Sequence, residues 1–125
     1  LEPVGVAMDA FGMQPHALQQ ALEAGAQAVV ITPRAQNPTG ASLTAERAAA
    51  LRHVLTRFPH VLVIEDDHFA LLARAPYYPV IPARTSRWAR IRSMSKAFGP
   101  DMRLAFVASD SQGAWALPFS AGSNR

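Results

Sequence analysis

The stretch that decides the fold is Val61-Leu62-Val63-Ile64-Glu65-Asp66-Asp67-His68, in which four apolar residues run directly into three acids and a histidine. A short apolar run rich in β-branched residues is typical of a strand buried within a parallel sheet. The preceding helix, predicted from about residue 43 to 58, has one apolar face formed by Leu51, Val54, Leu55 and Phe58. We therefore predict a helix followed by a buried strand that ends in acidic side chains.

A second apolar run, Ala28–Ile31, is also predicted to be a parallel strand buried on both faces. It precedes this helix and completes a strand–helix–strand unit. Such a unit predicts a right-handed parallel crossover. Before it, Pro15 is placed to begin a helix and Gly25 to end it. An extended piece at Val4–Met8 and a turn at Asp9–Gly12 are predicted to come first.

Beyond His68 the chain is predicted to be mostly irregular from 69 to 87, because this segment is rich in proline. Further strands are predicted at 88–92 and 104–108. Between them lies Ser93-Met94-Ser95-Lys96, and Lys96 is the only lysine among the twelve basic residues. Lysine, unlike arginine, can lose a proton and act as a nucleophilic amine.

Composition narrows the class of protein. The chain has 125 residues, which indicates one domain or part of one, and its formal charge of +3 is modest. The absence of cysteine excludes disulfides and thiolate metal sites, and no signal peptide or membrane span is apparent, so the cytoplasm is the expected location. Four arginines between 84 and 92 lack the density expected of a nucleic-acid surface.

Three polar segments follow predicted strands: the loop containing Asn37, the pair Asp66–Asp67, and Ser93–Lys96. Ligands of open parallel sheets bind outside the carboxyl ends of the strands, so an amide, a carboxylate and an amine are expected at one edge. Each segment has a simpler interpretation, which the spacing leaves open. Asn37-Pro38-Thr39-Gly40 can be a tight turn, the two aspartates can cap a helix or bind Mg²⁺, and His68 can be structural.

Other site classes find little support in the sequence. It contains no Gly-x-x-x-x-Gly-Lys-Ser/Thr phosphate loop and no Gly-x-Ser-x-Gly nucleophile elbow. The histidines at 16, 53, 60 and 68 lack the spacing of zinc ligands.

Three motifs together resemble a known family: ITPRAQNPTGASLT at 31–44, VLVIEDDHFALL at 61–72 and IRSMSKAFGPDMRLAFV at 91–107. They are similar to those of pyridoxal-phosphate-dependent aminotransferases of class I/II, fold type I. Within that family they look most like the aminotransferase-like domain of MocR-type, GntR-family transcriptional regulators. The resemblance implies an α/β fold, a three-layer α/β/α arrangement with a mainly parallel sheet. Residues 1–125 are then expected to be the central, incomplete part of the large domain of the aspartate aminotransferase fold, without the winged-helix domain or the small domain.

The resemblance also implies a role for each site residue. Lys96 matches the lysine that forms the internal aldimine with pyridoxal 5′-phosphate. Asp66, rather than Asp67, matches the partner of the pyridine nitrogen, and Asn37 the amide that binds the phenolic oxygen of the ring. Phosphate ligands are expected at Ser93 and Arg103, with Ser95 as a further candidate for the same pocket.

Two departures from the family pattern weaken the case for rapid transamination. The tyrosine that aminotransferases usually carry three residues after the pyridine aspartate is Phe69 here, and Ala105 replaces a common glycine. His68 holds the position at which the regulators often place their aromatic hydroxyl group. We therefore expect His68 to belong to the cofactor site.

The predicted function is an effector-sensing, pyridoxal-phosphate-binding domain of a transcriptional regulator, and transamination by this segment alone is not expected. The alternatives are a piece of a true aminotransferase and a Mg²⁺-dependent or phosphate-binding α/β domain that uses Asp66 and Asp67. The resemblance implies the cofactor, an amino acid or vitamer effector, and a homodimer of the full-length protein as partners. It also implies that DNA is contacted only through a domain absent from this chain, and that no membrane is involved.

Overall fold

The computed structural model describes residues 2–99, 101 and 104–110, with the backbone alone described at 95 and 96. Its elements are β1 Met8–Asp9, β2 Gly12–Met13, α1 Pro15–Glu23, β3 Ala28–Ile31, α2 Ala45–Thr56, β4 Leu62–Asp66, β5 Trp88–Ser93, α3 Ser95–Phe98 and β6 Ala105–Ser109.

The main sheet has four strands in the order β3-β4-β5-β6. The pairs β3–β4 and β4–β5 are parallel, whereas β6 runs antiparallel to β5. This arrangement confirms the prediction of a mainly parallel α/β sheet. A separate antiparallel pair, β1 and β2, contains the turn predicted at Asp9–Gly12, although the strand preceding that turn begins only at Met8 and not at Val4.

Helices α1 and α2 form where the sequence predicts them. Pro15 begins α1, which buries Leu18 and Leu22, and Gly25 follows its end with a φ of 105°. A positive φ is easily reached by glycine because it has no Cβ. Helix α2 is capped by Thr44, whose side-chain oxygen accepts a hydrogen bond from the backbone N–H of Arg47 at 3.1 Å, so the helix begins two residues later than expected.

The hydrophobic core lies between one face of the sheet and the two helices. It is formed mainly by Leu18, Leu22, Val29, Ile31, Leu43, Ala48, Leu51, Val54, Leu55, Val61, Val63 and Val80. Strand β3 alternates between exposed and buried residues, and Val30 is 57% exposed. The prediction of a strand buried on both faces is therefore wrong for β3, because the described residues supply a helical layer on one face of the sheet only.

Strands β4 and β5 extend beyond their predicted carboxyl ends, and β4 begins one residue later than predicted. Strand β4 continues through Glu65 and Asp66, and β5 continues to Ser93. The segment from 69 to 87 lacks helices and strands, as predicted. No helix in the described part of the chain combines the length and apolar composition needed to cross a bilayer.

Replacing Leu51 by alanine tests the packing of α2 on the sheet. Leu51 is completely buried, so Leu51→Ala should lower the free energy of unfolding by about 2–5 kcal/mol through lost contacts and a cavity. Leu51→Met nearly conserves the volume and should cost less than about 1.5 kcal/mol. Urea unfolding followed by circular dichroism measures both changes. Equal effects of the two substitutions would show that Leu51 is not tightly packed.

Candidate functional site

The carboxyl ends of the three parallel strands lie at one edge of the sheet. Strands β3, β4 and β5 end at Ile31, Asp66 and Ser93, respectively. Asp66 is paired in register with Ile91, so Ser93 lies two residues further along the neighbouring strand and on the same face. This offset along the strand is about 7 Å. The structure therefore places Asp66 and Ser93 near each other at this edge, as predicted.

The alternation of side chains along β4 separates the three acids. Glu65 and Asp67 are fully buried on the face that packs against the helices, whereas the side chain of Asp66 is 40% exposed on the opposite face. The nearest basic group to Asp66 in the described part of the chain is the imidazole of His68. Its Nδ1 lies 3.5 Å from Asp66 Oδ1.

Both carboxylate oxygens of Asp67 bind arginine. Arg34 donates from Nε to Oδ1 at 2.9 Å and from Nη2 to Oδ2 at 3.0 Å. Arg92 donates from Nε to Oδ2 at 3.2 Å. The bidentate bond from Arg34 is a strong form of this contact. Asp67 is therefore engaged in structural ion pairs, which explains why Asp66 is the better candidate for a ligand.

Each carboxylate oxygen of Glu65 accepts two hydrogen bonds. Its Oε1 accepts hydrogen bonds from the backbone N–H groups of Val80 and Ile81 at 2.7 and 3.2 Å. Its Oε2 accepts from the hydroxyl of Tyr77 and from Nε of Arg90, the latter at 2.7 Å. Glu65 therefore fixes the irregular segment after β4 against the sheet.

The ring of Tyr77 lies among three guanidinium groups. The Cζ atoms of Arg34, Arg90 and Arg92 are 5.5, 5.1 and 5.2 Å from the ring centroid, within the range of cation–π contacts. Burial raises the pKa of Tyr77 well above its usual value of 10.0, and its hydrogen bond to Glu65 raises the pKa further. The tyrosine thus stays protonated, donates a hydrogen bond to Glu65 and lies against the arginines that bind Glu65 and Asp67.

The loop after β3 is a closed turn with Asn37 at its exposed tip. The backbone N–H of Gln36 donates to the carbonyl of Ala41 at 3.0 Å, and that of Ala35 donates to Ser42 Oγ at 2.9 Å. The Asn37–Pro38 peptide is cis. The two hydrogen bonds close this motif into a tight turn, and the Asn37 amide has no hydrogen bond to other described residues.

The remaining predicted site residues are only partly described. Ser93 is half-buried at the end of β5, and the backbone of Ser95 and Lys96 begins α3 after one intervening residue. Arg103 lies outside the described residues. A shallow pocket of about 310 Å³ at the same edge is lined by Arg34, Arg92 and Ser93, among others, but not by Asn37, Asp66 or His68.

Sequence patterns alone did not reveal the arginine–acid cluster, which is formed by Arg34, Glu65, Asp67, Tyr77, Arg90 and Arg92. One signal was available: acids at 65 and 67 continue the period-two pattern of a buried strand. Buried acids need partners, and arginines also alternate at 90 and 92 on the next strand. The pairing could thus have been anticipated for these four residues.

Asp66 and His68 lie on the face of the sheet opposite the helices, which we call the open face. Their polar groups fit a cofactor better than those of Glu65 and Asp67 on the face that packs against the helices. His68 Nδ1 is buried and has no hydrogen-bond partner, and the carboxylate of Asp66 accepts no hydrogen bond from other described residues. A buried polar atom without a partner is uncommon in native proteins, so His68 Nδ1 is available to bind a further group. In the described part of the chain, no three acidic, histidine or cysteine side chains form a metal-binding group.

Residues 2–118 match the family of class I and II aminotransferases. The chain belongs to this family, which depends on pyridoxal phosphate, and its large domain has the aspartate aminotransferase fold. The predictions of family, fold and cofactor are therefore confirmed at this level.

Individual relatives agree with the family assignment. The chain is 61% identical over 106 residues to the vitamin B6 salvage pathway transcriptional repressor PtsJ of Salmonella typhimurium, which covers 85% of this chain and 25% of PtsJ. It is 32% identical to the aminotransferase swnA of Metarhizium robertsii, over 90% of this chain and 26% of that protein. The chain thus spans about a quarter of the length of these curated relatives.

Solved structures show the same fold. The aminotransferase Aro8 from Candida albicans superposes with a TM-score of 0.72 at 24% identity, covering 90% of this chain and 29% of that chain.

The hydrogen bond from Tyr77 to Glu65 can be tested by removing one hydroxyl group. Tyr77→Phe should lower the free energy of unfolding by about 1–3 kcal/mol because a buried carboxylate loses a donor. Tyr78→Phe, the adjacent control, should change it by less than about 0.5 kcal/mol. Denaturant unfolding at neutral pH measures both. Since the pKa of Tyr77 is raised, its contribution is complete below pH 10.0 and should decline as the pH rises above that value.

Proposed function

We propose that this chain is a pyridoxal 5′-phosphate-binding, aminotransferase-like domain that senses an effector in a transcriptional regulator. The observation that supports this most is the division of the acids at the end of β4. All four carboxylate oxygens of Glu65 and Asp67 accept hydrogen bonds from within the chain. Asp66 and His68 lie on the open face, and the Asp66 carboxylate and His68 Nδ1 have no hydrogen bond to other described residues. A ring with a basic nitrogen and a phenolic oxygen supplies the groups that such residues bind.

Each proposed contact follows from the chemistry of its side chain. Asp66 is proposed to hold a proton on the pyridine nitrogen, because a carboxylate stabilises the charged form of the ring. Asn37 and His68 are proposed to bind the phenolic oxygen. Phosphate, a dianion, is proposed to be bound by the hydroxyls of Ser93 and Ser95 and the guanidinium of Arg103. Lys96 is the seventh residue of the proposed site, and its amine is proposed as the covalent attachment point.

The cofactor supplies an aldehyde and an electron-withdrawing ring. The chain's residues orient that ring at the edge of the sheet and keep its nitrogen protonated. Phe69 has no hydroxyl to offer the phenolic oxygen, and the ring of His68 is 4.6 Å from that of Phe69, centroid to centroid. The domain is thus equipped to bind the cofactor and lacks a group that assists turnover in aminotransferases, which favours sensing over catalysis.

The regulator assignment is supported by the relative named as a transcriptional repressor of vitamin B6 salvage. On this proposal the ligand sensed is the cofactor itself, a vitamer or an amino acid that reacts with it. DNA is contacted by a separate part of the full-length protein, which acts as a homodimer. Operator binding by the full-length protein should therefore change when pyridoxal phosphate is added.

A true aminotransferase is the second candidate, favoured by relatives at 32 and 31% identity that are named aminotransferases. The two functions are separated by incubating the cofactor-loaded, full-length protein with a panel of amino acids. Catalytic release of 2-oxo acids would favour the enzyme. A change in operator binding without repeated release of 2-oxo acid would favour the regulator.

Replacing Lys96 tests the covalent attachment. In the full-length protein, borohydride reduction should fix the cofactor to a peptide containing Lys96, and mass spectrometry should locate it. Lys96→Ala should abolish both this product and the visible absorption of the bound cofactor, because no other lysine lies in residues 1–125. Lys96→Arg keeps the positive charge but should also fail. Labelling of a different residue in the wild-type protein would contradict the assignment.

Replacing His68 tests its proposed bond to the phenolic oxygen. His68→Phe removes the donor and should weaken cofactor binding about tenfold, equivalent to about 1.4 kcal/mol for one hydrogen bond. His68→Tyr restores a donor and should bind within about threefold of the wild type, since half a kilocalorie or so separates comparable hydrogen bonds. Fluorescence titration of the apo protein with pyridoxal phosphate measures both. Unchanged affinity in His68→Phe would assign this histidine a structural role.

A further inference from the structure

We propose that Asp67 is a positioning residue that holds together the three segments carrying Asn37, Asp66 and Ser93. This inference rests on the proposed cofactor site, but the contacts that carry it belong to the chain alone. Asp67 itself faces away from that site, so it is not proposed to touch the cofactor.

Asp67 binds two arginines from different segments, an arrangement that we call the clamp, with Arg34 and Arg92 as its two arms. The carboxylate of Asp67 is fully buried and accepts three hydrogen bonds, two from Arg34 and one from Arg92. Arg34 reaches further and donates from Nη1 to the carbonyl of Ala75 at 3.2 Å. One carboxylate is therefore bonded to the loop after β3 and to the end of β5, and through Arg34 the irregular segment is tied to the same point.

Each arm of the clamp lies next to a proposed cofactor residue in the chain. Asp67 directly follows Asp66, and Arg92 directly precedes Ser93. Arg34 is three residues before Asn37, within the same closed turn. Because neighbouring strand residues point to opposite faces, the ion pair between Asp67 and the 44% exposed Arg92 on one face fixes the direction of Asp66 and Ser93 on the other.

The backbone supports the same register. The N–H of Asp67 donates to the carbonyl of Ile91 at 2.9 Å, so β4 and β5 stay paired up to the clamp. A fully buried carboxylate needs compensating charge, and two guanidinium groups supply it. Loss of the Asp67 charge leaves both arginines without their anion, and each arm is then free to move separately.

Glu65 provides a matched control. It is as buried as Asp67 and also pairs with arginine, but its remaining partners are Tyr77 and the backbone of Val80 and Ile81. None of these groups belongs to the turn that carries Asn37. Glu65→Gln should therefore disturb the protein to a comparable extent without loosening that turn.

The first experiment measures amide hydrogen exchange in the apo, full-length protein by peptide mass spectrometry. Asp67→Asn should raise exchange in two separate segments, 35–41 and 93–97. Glu65→Gln should raise it around Val80 and Ile81, whose N–H groups lose their charged acceptor. An increase in Asp67→Asn that is confined to the residues around position 67 would overturn the inference, whatever ligand the protein binds.

The two arms can also be loosened one at a time. Arg34→Lys should raise exchange in 35–41 and around Ala75 but not in 93–97, and Arg92→Lys in 93–97 but not in 35–41, because a lysine cannot reproduce the directed Nε bond. These milder variants keep the positive charge and allow the test even if Asp67→Asn does not fold. A uniform increase over both segments from either single variant would contradict a two-armed clamp.

The second experiment measures the dissociation constant for pyridoxal phosphate. Asp67→Asn should raise it about tenfold or more, comparable to the loss of a supporting residue behind a metal ligand, whereas Glu65→Gln should leave it within about threefold. Equal effects of the two variants would assign Asp67 a purely structural role. That result would overturn this inference but not the proposed function. Failure of the wild-type protein to bind the cofactor would instead overturn the proposed function, while the exchange results would still decide whether the clamp exists.

Discussion

The alternation of side chains along β4 is the constraint on which the rest of the structure depends. It turns Val63, Glu65 and Asp67 towards the helices, and Asp66 towards the open face. A shift of one residue in register would exchange these faces, burying Asp66 and exposing the acids that hold the loops. The core and the proposed cofactor site are therefore not independent, because the same two-residue period orders both.

Charge in the interior of this protein is arranged to hold irregular backbone. The segment from 69 to 87 contains no helix or strand, so its backbone N–H and C=O groups need other hydrogen-bond partners. Glu65 bonds two of these N–H groups, and Arg34 bonds the carbonyl of Ala75. Buried ion pairs are costly to desolvate, and here they are better explained by the specific path they impose on the chain than by net stability.

Much of the fold could be predicted because it follows from local patterns. Apolar runs located β3 and β4, and Pro15 and Gly25 marked the limits of α1 within two residues. Predicting the burial of β3 failed because a β-branched run looks the same whether one or both faces are covered. In the site, spacing brought Asp66 and Ser93 to one edge correctly. The partners of Asp67 could not be predicted in full, since Arg34 reaches it from a loop whose path no periodicity describes.

The use of arginine throughout the arginine–acid cluster has a consequence for chemical selectivity. A guanidinium remains protonated in proteins and does not condense with aldehydes under the conditions in which a primary amine does. Had Arg92 been lysine, a second amine would stand four residues from Lys96, at the same edge of the sheet. Building the scaffold from guanidinium groups leaves one side chain in this stretch able to react.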